Sequence, residues 1–181
     1  MLLTNNRYPV AHIIDSLYLG GAQKVAVNIT NQLNKAIFDV HLIATTEEGP
    51  LITQLLPHVK YFYLANRRRY DLTAMYRLIK YLRENRIMIV HTHQQTGACL
   101  YSIASKLFRW NCIHIHSDHN SLQEDWDEQK KIKRFLMRNV HHYFPVSQQM
   151  ANWERKYLYV PESKQQVLWN GVDTLSFKLS A

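Results

Sequence analysis

No uncharged apolar run in this chain approaches the ~18 residues a membrane span needs, although 46% of its 181 residues are hydrophobic. Cysteine is scarce: Cys99 and Cys112 are the only two. They form no CxxC pair and no disulfide framework, which excludes a stapled secreted scaffold and predicts a reducing, cytoplasmic setting. Glycine and proline number five each, so collagen-like and low-complexity classes are excluded. No Pro-, Gly- or Ser-rich linker divides the chain, and no internal repeat is present. The opening residues MLLTNNRYPVAHIID lack a basic n-region, so their apolar stretch reads as a strand rather than a signal peptide. What remains is one ordinary soluble domain, residues 1–181, long enough to bury roughly 70% of the surface its unfolded chain exposes.

Acidic residues are also in deficit. Lys and Arg total 22 against 14 Asp and Glu, giving +8, with ten histidines besides. Such a balance favours anionic partners: nucleotide phosphates or an acidic membrane face. Nucleic acid is not expected, because the 11 Tyr, 6 Phe and 4 Trp do not interleave with the basic residues as a stacking platform would. Lys130, Lys131, Lys133 and Arg134, with Arg67 to Arg69, read either as a membrane- or phosphate-facing patch or as a solvated helix face.

Turn signals cut the chain into alternating pieces. Apolar, β-branched runs predict strands over 9–15, 38–45, 59–64, 87–93, 111–117 and 141–147, with a last short strand over 166–169. Amphipathic stretches predict helices from about 21, then over 71–85, 96–108, 127–140 and 147–158, and a short one over 51–56. Val25, Ile29 and Leu33 mark the inner face of the first. Leu72, Met75, Leu78, Ile79 and Leu82 mark that of the second long helix, with Asp71 as its N-cap. Strand, helix, strand repeated throughout means an α/β domain: a single Rossmann-like doubly wound parallel sheet with helices on both faces. Such sheets bind ligands beyond the carboxyl ends of their strands.

Two groups of residues there carry chemistry. Gly20 and Gly21 sit between the first strand and first helix, where they serve either as an anion-binding loop at a helix N-terminus or as a tight turn needing positive φ. They form no GxGxxG fingerprint and no P-loop. The histidines His91 and His93 end one strand; His114, His116 and His119 end the next. Residues two apart on a strand share a face, so His93, His116 and His119 are expected to gather. A zinc site would need three or four convergent ligands, but there is no HExxH and no cluster of extra carboxylates, so no metal is expected. A single crevice histidine fits better. His12, His41, His58, His141 and His142 are expected only to bond loop backbone.

The ordered segments IIDSLYLGGAQKVAVNITNQL (13–33), IVHTHQQTGA (89–98), HIHSDHNS (114–121), FPVSQQM (144–150) and VLWNGVDTLSF (167–177) resemble the N-terminal half of a family-four (group 1) glycosyltransferase of the GT-B fold. The resemblance implies a retaining enzyme that moves a sugar from a nucleotide-sugar donor to a glycan or lipid-linked acceptor, with no other cofactor. It implies that Gly20, Gly21 and Ala22 form the loop over the donor phosphates and acceptor edge. His119, or else His116, falls on the histidine that contacts the transferred sugar; the pattern HSDHN favours His119. His93, Gln94 and Thr96 fall where acceptor contacts lie, and Asn170-Gly171 is the turn leading toward a second, donor-binding domain. Without that domain or a partner chain, these residues are expected to be inactive or to bind weakly. Peripheral association with the inner membrane face is compatible with this reading. The competing reading is a non-catalytic Rossmann-type nucleotide binder; the missing fingerprint, and Ala44-Thr45 where an acid would close the second strand, count against NAD.

Overall fold

A computed structural model describes residues 7–68, 71–119, 134 and 138–171. Six strands, β1 (Tyr8–Ser16), β2 (Phe38–Glu47), β3 (Lys60–Tyr63), β4 (Ile89–Thr92), β5 (Ile113–His116) and β6 (His142–Tyr143), form one sheet in the order β3-β2-β1-β4-β5-β6. Every pairing is parallel. Among the described residues, α1 (Gly21–Gln32), α2 (Leu72–Glu84) and α3 (Gln95–Leu107) connect strands, and α4 (Gln148–Trp153) follows β6. The predicted helix over 127–140 lies outside the described residues, apart from Arg134 and its last three positions. Arg134 donates to the Tyr157 carbonyl at 2.5 Å and its guanidinium lies 4.2 Å over the Tyr159 ring, so this basic residue packs against its neighbours.

The two-residue alternation of β1 divides the core. Val10 and Ile14 pack with Ala26 and Val27 of α1, while Ala11 and Ile13 face Met75, Leu78 and Leu82 of α2 and Leu100 and Ala104 of α3. Each fully buried Leu, Ile or Met on these faces contributes roughly 1.5–3 kcal/mol. Near-continuous apolar strands and helices on both faces are one fact seen twice, since a parallel sheet has no solvated side. Asp71 caps α2, its carboxylate accepting from the Ala74 N–H at 2.9 Å, and Ser147 caps α4 by accepting from the Met150 N–H at 3.1 Å.

Several expectations need correcting. The stretch 166–169 is not a strand: Gln165 makes one parallel bridge to Tyr143, and the Gln166 and Leu168 N–H groups donate to the Tyr143 and Pro145 carbonyls. It follows the sheet edge without extending the ladder. The helix over 147–158 is α for six residues only, then becomes a wider π turn over Glu154–Leu158 that ends at Tyr159 with φ 56. The segment after Pro50 is a 3-10 turn, Pro50–Gln54. The inner face of α1 is Ala26, Val27 and Thr30 rather than Val25 and Ile29; small side chains at Ala22 and Ala26 let this side approach the sheet. Leu72 opens α2 at its outer edge and stays exposed, and Ala74 takes the inward place.

Candidate functional site at the carboxyl edge of the sheet

The register fixes what meets at this edge. Ile13 pairs with Thr92, Thr92 with His116 and His116 with Tyr143, so β4, β5 and β6 end together and β1 runs three residues further, to Ser16. Strand order reverses between β1 and β4, the place where sheets of this kind bind ligands beyond the carboxyl ends of their strands. The glycine pair and the histidine segments therefore lie along the same edge.

Gly20 is the N-cap of α1, with extended φ −168 and ψ 161 and no side-chain cap. No described glycine has positive φ, so the pair is not there for a left-handed turn. A Cβ on Gly21 would meet nothing within 4 Å, and one on Gly20 only the flexible end of Gln23. The first turn of α1 carries no acidic residue, so its free N–H groups and the positive end of the helix dipole are offered without a built-in counter-anion. Ala22 packs inward against the core. The tight constraint is elsewhere: a Cβ on Gly49 would run into the backbone of Leu17 and Tyr18, and the Leu51 N–H donates to the Leu17 carbonyl at 3.1 Å. The loop after β2 thus props the loop that carries the glycine pair. No local sequence signal marks Gly49 for this role.

Asp15, also missed, ties the edge together. Its Oδ1 accepts from the Gly97 N–H at 2.9 Å, and its backbone N–H donates to Gln94 Oε1 at 3.3 Å. Thr96 bonds its carboxylate, while burial pushes the carboxyl pKa above its ordinary value. Gln94 and Thr96, expected at the acceptor surface, thus both hold the end of β1. The Asp15 carbonyl accepts from Thr46 Oγ1 at 2.7 Å. β2 runs to Glu47, paired in register with Ser16, so an acid does close this strand two residues beyond Thr45. The absent glycine fingerprint still argues against NAD.

The histidines separate by sheet face. His12 pairs with His91 across β1 and β4, and His93 lies two residues further on the same side. His93 Nε2 sits 2.9 Å from His12 Nδ1, and His93 Nδ1 sits 3.4 Å from His119 Nε2. His91 Nε2 meets Ser117 Oγ at 2.8 Å. His116 goes elsewhere: it pairs with Thr92, whose side chain points to the opposite face, and its Nδ1 lies 2.9 Å from Thr92 Oγ1. His93 and His119 therefore gather as expected and His116 does not, because the same alternation that joins 91 to 93 sends 116 through the sheet. His12 and His41 also depart from the expected loop-backbone role. His12 joins the cluster, and His41 is bound by Tyr81 Oη at 2.8 Å and faces Asp39 at 3.5 Å.

Burial governs the charge of the cluster. Desolvation lowers the pKa of His12 to about 4 and holds His91 and His93 well below the ordinary imidazole value, with neighbouring imidazoles adding repulsion. His119 is also lowered by burial, against an opposing pull from Asp118. At neutral pH these rings are uncharged, each with one donor and one acceptor nitrogen. Asn170 and Gly171 are exposed at the end of the segment that follows the β6 edge. Tyr18, Leu19 and Trp169 expose apolar surface in the loops around this end of the sheet.

A doubly wound, Rossmann-like α/β domain with its switch point between β1 and β4 is the class that the fold defines. The chain belongs to Glycosyltransferase Family 4, whose family model matches residues 19–175. It is 27% identical over 188 residues to the UDP-Gal:alpha-D-GlcNAc-diphosphoundecaprenol alpha-1,3-galactosyltransferase of Escherichia coli, covering 98% of this chain and 48% of that protein. In structure it resembles HepE from Anabaena, solved with UDP and glucose, at TM-score 0.73 and 16% identity over 94% of this chain and 46% of that one. It also resembles a glycosyltransferase from Rickettsia africae at TM-score 0.74 and 16% identity, covering 96% and 47%. The chain spans about half the length of these relatives.

Proposed function

We propose that this domain is the acceptor-side wall of a glycosyltransferase that moves a sugar from a nucleotide-diphosphate sugar to a glycan or lipid-linked acceptor, with retention at the anomeric carbon. One observation carries the reading: the uncapped N-terminus of α1 at Gly20-Gly21 and the neutral His93–His119 pair follow strands that leave the same edge of the sheet. Amide dipoles there stabilise diphosphate charge, and a neutral imidazole orients a sugar hydroxyl without carrying a competing charge. His119 is the residue placed on the transferred sugar; His93 positions it. Family membership, a relative whose name specifies a diphosphoundecaprenol-linked substrate, and a structural neighbour holding UDP and glucose support the substrate class.

Transfer needs the leaving diphosphate and the acceptor held in one closed cleft. In this reading the 181 residues supply one wall of it and turn over nothing alone. Asn170-Gly171 leads toward the opposite wall, and exposed Tyr18, Leu19 and Trp169 belong to the surface that wall covers. A peripheral approach to an anionic membrane face fits the +8 charge; no helix of the described residues is long and apolar enough to cross a membrane. The test is transfer from radiolabelled UDP- and GDP-sugars to lipid-linked saccharide, by this chain alone and by this chain joined to a donor-binding domain. Activity of the joined protein only is the expected result; transfer by the 181-residue chain alone would overturn the division of labour. Tight NAD(H) binding with none for UDP- or GDP-sugars would instead favour a non-catalytic Rossmann binder.

A further inference from the structure

His12, His91 and His93 are the buried heart of the cluster, exposed by only 2%, 8% and 0%. One nitrogen from each lies within 4.8 Å of the others. We propose that these three imidazoles form a site for a single divalent transition ion of the Zn2+ class, set beside His119 at the switch point between β1 and β4. The inference rests on the cluster alone and stands apart from the sugar-transfer reading.

The donor set selects the ion. Three imidazoles without an oxygen ligand suit Zn2+, Cu2+, Ni2+ or Co2+ and not Mg2+ or Ca2+. The ring geometry agrees. Three imidazoles bound to one tetrahedral ion at about 2.0–2.1 Å hold their ring centres roughly 5 Å apart and their donor nitrogens roughly 3.3 Å apart. Here the ring centres are 5.1 Å (His12–His91), 5.2 Å (His12–His93) and 4.1 Å (His91–His93) apart, and His12 Nδ1 is 2.9 Å from His93 Nε2. An ion entering there widens the His12–His93 nitrogen pair by about 0.4 Å, parts the His91 and His93 ring centres by about 1 Å and draws in nitrogens that stand up to 4.8 Å apart.

Two of the three outer nitrogens are already where such a site needs them. Metal-bound imidazoles usually pass their remaining N–H to a neighbour that fixes the ring. His91 Nε2 faces Ser117 Oγ and leaves Nδ1 inward. His93 Nδ1 faces His119 Nε2 and leaves Nε2 inward. His12 turns Nδ1 toward His93, and its Nε2 is buried with no hydrogen-bond partner. Binding needs no net proton change, but one ring changes tautomer: the hydrogen bond between His12 Nδ1 and His93 Nε2 holds a proton on one of those atoms, and with the ion bound the protons sit on His12 Nε2, His91 Nε2 and His93 Nδ1. His119 then accepts at Nε2 and holds its own proton at Nδ1, a buried atom with no hydrogen-bond partner among the described residues.

The test titrates the chelator-treated chain with ZnCl2 by calorimetry and follows ring-nitrogen NMR signals, with Co2+ as an optical probe. Expected are one ion per chain, the strong visible bands of tetrahedral Co2+, and Zn2+-induced shifts at the ring nitrogens of His12, His91 and His93 but not at exposed His141 and His142. His12→Ala is expected to weaken binding more than about 100-fold and Ser117→Ala about 10-fold. No stoichiometric uptake by the folded wild-type chain, or shifts confined to other histidines, would overturn the site and leave the three rings as a hydrogen-bonded chain. The wild-type spectra decide this even where a variant fails to fold.

Discussion

Asp15, at the end of β1, accepts a hydrogen bond from the Gly97 N–H in the first turn of α3 across 82 residues of sequence. A strand that belongs to one side of the switch point thereby caps a helix on the other. The carboxylate does the work that an N-cap side chain does locally, satisfying a free amide and meeting the positive end of the helix. Asp15→Ala leaves that amide without its partner and should cost about 1–2 kcal/mol. Asp15→Asn keeps an acceptor and should cost less. Urea unfolding of the two variants measures the difference; equal losses would show that the acceptor atom is not what matters.

Gly49 and Gly21 give opposite expectations. A methyl group on Gly49 meets backbone, which cannot rotate away, while one on Gly21 meets open space. Gly49→Ala should destabilise by more than about 1 kcal/mol and shift the amide signals of Leu17 to Gly20; Gly21→Ala should stay within about 0.5 kcal/mol of wild type. Chemical denaturation with amide NMR reads both.

His119 and His116 separate by function. In a protein carrying both walls of the cleft, His119→Ala should lower turnover strongly with the fold intact, because the proposed function puts this residue on the transferred sugar. His116 lies behind the sheet, bound to Thr92, so His116→Ala should act chiefly on stability. Measuring kcat and melting temperature for each variant distinguishes the two. A dead His116→Ala beside a near-normal His119→Ala would reverse the roles.

Acid should loosen the domain through its buried imidazoles, and His114 isolates one of them. It is buried, close to Thr92 Oγ1 at 3.0 Å, and burial holds its pKa well below 6.5. The unfolded chain therefore binds a proton there that the folded chain refuses. This contribution to stability is complete above about pH 6.5 and is lost as pH falls, by up to about 1.4 kcal/mol per pH unit for one proton. His114→Gln should flatten the pH dependence of urea unfolding between pH 6.5 and 5 by up to one proton. An unchanged slope would mean that His114 titrates alike in both states.

The sequence by itself determined the parallel sheet, the six strands that form it (with a seventh, over 166–169, that the structure does not bear out) and its helices on both faces. Period-two and period-3.6 apolar patterns are local, and the capping by Asp71 and Ser147 reads directly from neighbouring residues. It also placed Gly20-Gly21 and His93–His119 on one edge, since loops after parallel strands leave from the same side. What it left open depends on register. His12 and His91 meet only because Val10 pairs with Ile89; a shift of one residue would turn His12 to the other face. His116 was misplaced by the same gap, as no spacing within β5 says which residue of β4 it opposes. Asp15 capping α3 and Gly49 propping the Leu17 loop are contacts between distant segments, and nothing in either segment alone encodes them. Local pattern fixes which elements form; which side chains touch is settled only when the sheet has chosen its register and the loops have packed against each other.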